Sequence, residues 1–306
     1  MCIRDRLKDG AIDVIGTVES KQFDELKANE SAKKMLNFYS EPEFIYYYIG
    51  LNRKNQKLAD KKVRRALAHL VNVDEIIDVV MYGYGVRTVG PFNPSKPYYH
   101  KDLPLIDYNP EKARALLKEA GWEDSNSNGI VDKVINGKKV ELDIEYQVSQ
   151  TGFSTQSAAL MKESFKKGGV NLIAVSKDAN SQREAIMKRE YEIGAGAWGQ
   201  DPSLDDPKQL WHTTSNTPSG SNRVGFGNAE TDRLIEEIQV TMDETKRNEL
   251  YKKFQEVVYD DQPYIFLFSR KGRTVISKKF DIKPSLRKPL IFENQFRLAK
   301  SEVSMN

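Results

Sequence analysis

The segment from residue 191 to residue 268 constrains the fold more than any other part of the sequence. Tyr191–Trp198 mixes β-forming residues with small residues, which predicts a buried strand that ends at Trp198. The loop that follows, residues 199–228, is rich in Pro, Ser, Asn, Asp and Gly, yet it contains Trp211 and Phe226. Solvated loops rarely carry such large aromatic side chains, so we expect this loop to line a binding site.

Two helices and a further strand are predicted after this loop. Asn228 and Asp243 are suitable N-caps for two successive helices. Pro263 then ends the helical structure, and Tyr264–Phe268 has the composition of a strand. The order of strand, long loop, two helices and strand is typical of an α/β ligand-binding lobe.

Four groups of residues, in one particular order, resemble the signature of a known family. They are Asn52–Ile77 with Val63-Arg64-Arg65-Ala66-Leu67 at its centre, Tyr108–Trp122, the segment from Trp198-Gly199-Gln200-Asp201-Pro202 to Ser221-Asn222 and Gly225-Phe226, and Asn228–Asp232 with Gln262-Pro263-Tyr264. These residues are similar to those of the extracytoplasmic solute-binding proteins of family 5, the oligopeptide- and dipeptide-binding receptors of ABC importers. The resemblance extends from about Leu7 to about Phe296.

The resemblance implies an α/β fold of the type II periplasmic-binding-protein kind, in which two lobes enclose the ligand. Members of the family are exported and much longer than 306 residues, so we expect this chain to be the C-terminal part of such a protein. We predict a remnant of the first lobe at residues 1–50, a nearly complete second lobe that binds the ligand at 51–263, and a return to the first lobe at 264–306. Residues 1–6 match nothing in the family and are interpreted as a sequence artefact.

Composition and charge exclude several other classes of protein. The 47 Lys and Arg residues against 44 Asp and Glu leave a net charge of only +3, which argues against a nucleic-acid partner. The single cysteine, Cys2, cannot form an internal disulfide, and only Met1 precedes it, so it lacks the apolar segment that precedes a lipid-modified cysteine. The sequence contains no export signal and no apolar stretch of the length of a membrane span.

Residues 124–132 match the first nine positions of a calcium-binding loop. Oxygen-bearing or backbone ligands fall at alternate residues, and Gly129 provides the sharp turn. The twelfth position is Ile135 where an EF-hand has a bidentate Glu, which excludes the usual helix-loop-helix sensor. Two interpretations stay open, an Asx-rich turn and a structural calcium site. The candidate ligands of that site are Asp124, Asn126, Asn128, Ile130 and Asp132.

No catalytic pattern is found, so we predict that the chain is not an enzyme. The three histidines, His69, His100 and His212, show no metalloprotease spacing, and there is no Gly-x-Ser-x-Gly elbow or phosphate-binding loop. We expect no cofactor other than the structural calcium.

The resemblance implies which residues contact a ligand. In peptide-binding members the Asp of the Trp-x-x-Asp motif meets the α-ammonium of the peptide, which would be the role of Asp201, although this side chain would equally well cap the turn before Pro202. By the same resemblance Trp198 would form a wall of the first ligand pocket, and Asn222 would bond the peptide backbone. Arg223 and Tyr84 are further candidate ligand contacts, and a surface position is the alternative for Arg223.

These implications predict the substrate-binding component of an ABC importer. It would be a monomer outside the cytoplasm, in the periplasm or anchored as a lipoprotein, and would deliver peptides to the membrane permease. Two alternatives stay open: a binder of a nickel chelate, haem or an oligosaccharide on the same fold, and a calcium-stabilised interaction domain without a transport role.

Overall fold

The computed structural model describes residues 6–7, 9–150, 152–285, 291 and 293–299. Its helices are α1 (Ser20–Ala28), α2 (Glu30–Met35), α3 (Lys61–His69), α4 (Val73–Glu75), α5 (Pro110–Glu119), α6 (Gly152–Lys167), α7 (Ala179–Lys188), α8 (Lys208–Trp211), α9 (Ala229–Val240) and α10 (Glu244–Asp261). Its strands are β1 (Val14–Ile15), β2 (Leu36–Tyr39), β3 (Pro42–Leu51), β4 (Gly85–Arg87), β5 (Asp132–Ile135), β6 (Lys138–Glu141), β7 (Asp143–Ser149), β8 (Asn171–Lys177), β9 (Ile193–Gly199), β10 (Tyr264–Lys271) and β11 (Thr274–Ser277). Residues Ile76–Val80 form a π-helical turn, and Gln56–Leu58, Thr213–Ser215 and Glu293–Gln295 form 3₁₀ turns.

A six-stranded sheet of order β4-β10-β3-β9-β7-β8 forms the centre of the molecule. β7, β8 and β9 are parallel, and β3 is antiparallel to both β9 and β10. The carboxyl ends of β7, β8, β9 and β10 therefore lie at the same edge of the sheet. In open α/β sheets this is the edge where ligands bind.

Both faces of the sheet are covered, so the central strand β3 is buried on two sides. Ile49 belongs to the larger apolar cluster, which also contains residues of α3, α5 and α6. Tyr46 and Tyr48 belong to the second cluster, which contains residues of α9 and α10. The run of apolar and aromatic residues in β3 reflects this position, because a strand covered on both faces does not alternate with polar residues.

A small three-stranded sheet of order β1-β11-β2 lies beside the central sheet. The chain passes between the two sheets twice, between β2 and β3 and between β10 and β11. The boundaries predicted at residues 50 and 263 stay a prediction. The strands next to them, β3 and β10, pair with each other over Tyr264↔Gly50 to Lys271↔Pro42, within the central sheet. Sequence patterns located these strands but not the sheet to which each one belongs. Residues 1–5 of the predicted artefact lie outside the described residues.

The predicted helix starts are confirmed by their capping bonds. The side chain of Asp243 accepts a hydrogen bond from the backbone of Lys246 at 2.8 Å. Asn228 forms a full capping box with Thr231. Each of these side chains bonds a backbone N–H that has no partner inside its helix, which fixes where the helix begins.

No described helix is long and apolar enough to cross a membrane.

Candidate functional site

The carboxyl edge of the sheet contains a strand that is paired on one side only. β9 pairs with β3 along its whole length, from Leu51↔Ile193 to Ile45↔Gly199. On its other side β7 pairs only with Ile193 and Gly194. Among the described strands, none pairs with the remaining residues of β9 on that side, so the backbone of 195–199 forms an open strand edge.

The direction of the backbone groups in β9 follows from its first and last bonds to β3. Gln200 donates to the carbonyl of Phe44 at 2.9 Å, and Asn52 donates to the carbonyl of Glu192 at 2.9 Å. Successive residues of a strand direct their amide and carbonyl groups to opposite sides. The even-numbered residues of β9 therefore face β3, and Ala195 and Ala197 direct theirs to the open edge.

Two cavities flank this edge. The larger, which we name the cleft cavity, has a volume of about 480 Å³. The smaller, which we name the aromatic cavity, has a volume of about 220 Å³. The cleft cavity is lined by Glu19, Tyr47, Tyr48, Met81, Ser149, Phe153, Ser154, Gln182, Ala195, Gly196, Ala197, Leu267, Arg270 and Arg273. The aromatic cavity is lined by Tyr48, Gly50, Arg183, Ile186, Tyr191, Gly194, Ala195, Gly196, Ala197, Trp198, Arg223, Val224 and Tyr264.

Stacked rings form one wall of the aromatic cavity. The ring of Tyr48 lies 3.9 Å from that of Tyr264 and 6.4 Å from that of Trp198, with interplanar angles of 11° and 4°. The indole N–H of Trp198 donates to the Tyr264 hydroxyl at 3.3 Å. Gly196 is required beneath these rings, because a Cβ atom there would lie 2.5 Å from the Tyr48 hydroxyl. The small residues of β9 thus leave space for the rings and for a ligand.

Two of the predicted ligand contacts, Trp198 and Arg223, line the aromatic cavity. The guanidinium of Arg223 lies 5.6 Å from the centroid of the Trp198 ring. Burial raises the pKa of Tyr191 in the same cavity, and the nearby charges of Arg189 and Arg223 oppose that increase. Two positively charged side chains, Arg183 and Arg223, line the aromatic cavity.

Asp201 lies just beyond β9 with its side chain exposed. One carboxylate oxygen accepts hydrogen bonds from the backbone N–H and the hydroxyl of Ser203, both at 2.7 Å. This is the turn-capping arrangement that the sequence leaves open as an alternative. Exposure leaves the side chain accessible to a ligand, so contact with an ammonium group stays a prediction.

Two residues that sequence analysis did not select hold the Asp201 loop in place. The ammonium of Lys96 is buried and donates to the carbonyl oxygens of Asp201 at 2.6 Å and Ser203 at 2.9 Å. Tyr98 donates to the carboxylate of Asp205 at 2.9 Å. Burial lowers the pKa of Lys96, and burial raises that of Asp205. Lys96 lies in the irregular region after β4, where no periodic pattern marks it.

Asn222 is fully buried, which does not fit the predicted contact with a ligand. Its side-chain oxygen accepts a hydrogen bond from the Phe226 backbone at 3.0 Å. Its amide group donates to the carbonyl oxygens of Phe226, His212 and Trp211 at 2.9, 3.2 and 3.3 Å. These bonds occupy the side chain, so Asn222 fixes the loop behind the aromatic cavity.

Tyr84 is not among the residues that line either cavity. Its hydroxyl donates to the Asp24 carboxylate, its ring packs edge-on against Phe23 at 5.5 Å, and Arg273 lies over the ring at 5.4 Å. Burial raises its pKa, and the bond to Asp24 adds to the increase. The predicted ligand contact at Tyr84 does not fit this position, because the side chain joins α1 to the end of β10.

The calcium-like loop connects α5 to β5 and is held by its own side chains. Asp124 accepts hydrogen bonds from the backbone of Asn128 at 3.1 Å and of Gly129 at 2.9 Å. Asn128 accepts one from Ile130 at 2.8 Å. Asp132 accepts a bond from the Ser125 hydroxyl at 2.9 Å. These bonds form an Asx-rich turn.

Glu141 on β6 also reaches this loop and was not selected from the sequence. Its carboxylate accepts hydrogen bonds from the amide groups of Asn126 at 3.2 Å and Asn128 at 2.7 Å. In the part of the chain that the structure describes, no group of three or more His, Cys, Asp or Glu side chains is placed to hold a metal ion. Calcium binding by the five predicted ligands stays a prediction.

Comparison with known proteins decides the family. Residues 3–221 match the model of the bacterial extracellular solute-binding proteins, family 5, middle region. The chain belongs to this family of solute-binding proteins. It is 31% identical to the oligopeptide-binding protein AppA of Bacillus subtilis over 73% of this chain and 41% of that protein. It is 28% identical to the dipeptide-binding protein of Escherichia coli over 76% of this chain and 42% of that protein.

Solved structures of family 5 proteins confirm the fold. The structure of AppA from Bacillus subtilis in complex with a nonapeptide superposes with a TM-score of 0.79 and 26% identity, over 97% of this chain and 58% of that one. The predicted α/β fold of the periplasmic-binding-protein type is thus correct. The chain spans about half the length of the curated relatives that it matches.

Proposed function

We propose that the protein containing this family 5 chain is the substrate-binding component of an ABC importer and that its ligand is a peptide. It works outside the cytoplasm as a monomer, binds without catalysis, and delivers the peptide to the membrane permease. Closure of two lobes over the carboxyl edge of the central sheet buries the peptide and presents a surface to the permease.

The open edge of β9 is the observation that carries this proposal. A peptide that lies beside residues 195–199 forms hydrogen bonds with backbone groups that point away from β3. Such strand addition binds a peptide through groups that every peptide possesses, so this part of the affinity does not depend on sequence. The cavities on either side then receive the side chains. A sugar or a metal chelate has no matching row of amide groups.

Asp201 supplies the second part of the proposal. Its exposed carboxylate lies at the carboxyl end of β9, where it forms a charge-assisted bond with the α-ammonium of the bound peptide. Lys96 holds the backbone of this loop through two carbonyl groups. The carboxylate is thus presented on a fixed loop at the end of the open edge.

The experiment is calorimetric titration of the gene product that contains this chain with a short alanine peptide and two altered forms. In one form an ester replaces a central amide, which removes one N–H donor, and in the other the amino terminus is acetylated. We expect a loss of roughly 1 kcal/mol, about fivefold in affinity, for the ester, because one backbone hydrogen bond is lost. Acetylation should reduce affinity by roughly tenfold or more, because a charge-assisted bond is lost.

Asp201→Asn should abolish the difference between free and acetylated peptides, whereas Asp206→Asn should preserve it. Asp206 is the matched control, because it is an exposed Asp of the same loop whose carboxylate bonds Gln239 at 3.0 Å. Equal binding of the amide and ester peptides would exclude strand addition at β9. Binding of nickel chelates or sugars, but of no peptide, would exclude a peptide ligand.

A further inference from the structure

The aromatic cavity contains positive charge that no described carboxylate balances. Arg183 and Arg223 line it, and no Asp or Glu is among the residues that do so. Neither arginine forms an ion pair within 4.0 Å in the described parts of the chain. Unpaired cationic side chains that line a cavity favour an anionic group inside it, because opposite charges attract.

Arg223 retains unused hydrogen-bonding capacity. Its Nε atom is buried and has no hydrogen-bond partner in the described structure, although buried polar groups nearly always have one. The guanidinium also lies over the ring of Trp198, with its central carbon 5.6 Å from the ring centroid. A planar guanidinium held in this way matches the two oxygens of a carboxylate.

A third arginine adds to the positive potential behind the cavity. Arg189 donates to the carbonyl oxygens of Thr217 and Asn222, both at 2.9 Å, and these partners carry no charge. Burial lowers the pKa of Arg189, and the charge of Arg223 adds to this decrease. The guanidinium groups of Arg189 and Arg223 therefore repel each other. An anion bound in the cavity would offset this repulsion.

The cleft cavity differs in charge. Arg270 on its wall pairs with the Glu43 carboxylate at 2.6 Å, and Glu19 lies on the wall near Arg273. The remaining wall includes apolar side chains such as Phe153 and Leu267. The positive charges of the cleft cavity therefore have acidic side chains nearby, whereas the positive charges of the aromatic cavity do not.

Strand geometry assigns the two cavities to alternate side chains of a ligand. Gly196 and Trp198 face the stacked rings of the aromatic cavity, whereas Ala195 packs with the apolar cluster on the opposite face of the sheet. Residues opposite each other on neighbouring strands share a face, and successive residues alternate. A peptide beside β9 thus places every second side chain towards Arg183 and Arg223.

We propose that the aromatic cavity is a carboxylate-selective subsite, formed by Arg183 and Arg223, which accepts an acidic side chain or the terminal carboxylate of the bound peptide. This inference rests on the proposed peptide-binding function and adds a preference among peptides. The positions it selects are two residues apart along the ligand, because the intervening side chain faces the cleft cavity.

The test uses the gene product that contains this chain and a set of alanine pentapeptides with one Glu or one Gln at each successive position. Each is prepared with a free and with an amidated carboxyl terminus, and affinity is measured by calorimetry. We expect Glu to bind at least tenfold more tightly than Gln at one position, or at two positions two residues apart. If the terminal carboxylate occupies the subsite, amidation instead reduces affinity at least tenfold and Glu equals Gln.

Arg223→Gln should reduce either preference to less than threefold, and Arg183→Gln should weaken it. Arg233→Gln, an exposed arginine on α9 outside the cavity, should leave the preference unchanged. A thermal melt shows whether each variant is folded. If Arg223→Gln unfolds, Arg183→Gln still tests the subsite, because Arg183 is exposed on α7 and its replacement should not affect folding.

If the alanine peptide binds while Glu equals Gln and the free acid equals the amide, the subsite is refuted and the peptide-binding function stands. If no peptide binds, both proposals fail. A preference for Glu that persists in both arginine variants would also refute the subsite.

Discussion

Replacing Asn222 by Ala tests whether this residue fixes the loop or contacts the ligand. The side chain is fully buried and bonds the backbone on both sides of the loop, at Trp211 and His212 and again at Phe226. Ala removes all of these bonds and creates no steric conflict. Asn222→Ala should therefore reduce the stability of the loop directly, and ligand affinity only indirectly.

The expected magnitude follows from the individual bonds. Phe226 would retain a buried N–H without a partner, which costs about 1–3 kcal/mol. The bond to the Phe226 carbonyl, at 2.9 Å, adds about 1 kcal/mol, and the two longer bonds to Trp211 and His212 add less. The free energy of unfolding should fall by roughly 3 kcal/mol. Asn222→Asp should cost more, because a buried carboxylate would face three carbonyl oxygens.

Urea unfolding of the gene product that contains this chain measures the global effect. Hydrogen exchange at the Phe226 amide measures the local one, since opening of the loop exposes that amide. Asn180→Ala serves as the matched control, because Asn180 is exposed on α7 and its replacement should change stability by less than about 0.5 kcal/mol.

The reasoning would be refuted by an Asn222→Ala protein of unchanged stability and unchanged exchange at Phe226. If such a protein also lost ligand affinity, the direct contact expected from the sequence would be correct, and the loop would be fixed by other groups.

Further predictions concern stability, pH and metal. Arg64→Ala should lower the free energy of unfolding by about 3–5 kcal/mol, because it breaks a buried ion pair: the guanidinium is 1% exposed and lies 2.9 Å from the Asp261 carboxylate. The control Lys61→Ala breaks an exposed ion pair and should lower it by less than about 1 kcal/mol. Urea unfolding measures both. Burial lowers the pKa of His69, so the unfolded state binds its proton more readily. Stability should be complete above about pH 6.5 and fall as the pH decreases, and His69→Gln should flatten this dependence. If residues 124–132 bind calcium, ten times its dissociation constant should add about 1.4 kcal/mol in a thermal melt, and both EDTA and Asp124→Ala should remove the gain.

Local patterns predicted the elements that depend on local bonds. The caps at Asn228 and Asp243 lie where the sequence places them, because a capping side chain bonds backbone groups only two or three residues away. The strand predicted over Tyr191–Trp198 is also present, with slightly different bounds: β9 runs from Ile193 to Gly199. Its open edge depends on where β7 stops pairing with β9, which no local pattern contains.

One hairpin was missed although its signal is present. β5 and β6 form a hairpin directly before β7. The two residues between β5 and β6 are Asn136 and Gly137, both with positive φ, at 52° and 76°. Asn-Gly is the strongest short hairpin signal, because such turns need this backbone conformation at both positions.

Burial separates the predicted site residues that line a cavity from those that do not, and sequence spacing alone does not predict burial. Trp198 and Arg223 come together at the aromatic cavity, but Asn222, next to Arg223 in sequence, points the opposite way into the loop. Tyr84 follows a turn, where an exposed position is common, and is instead anchored by Asp24 from a distant helix. Long-range contacts of this kind decide which polar side chain faces a ligand.

The position of Trp198 gives the protein an intrinsic optical reporter. Of the three tryptophans, Trp122 and Trp211 are 2% and 1% exposed, whereas Trp198 is only partly buried. Collisional quenching of fluorescence by acrylamide therefore acts mainly on the indole beside the Tyr264 hydroxyl, while the other two emit as a constant background. Occupation of the neighbouring cavity would shield that indole and shift its emission, so capture of an unlabelled ligand can be followed in real time from the chain's own light.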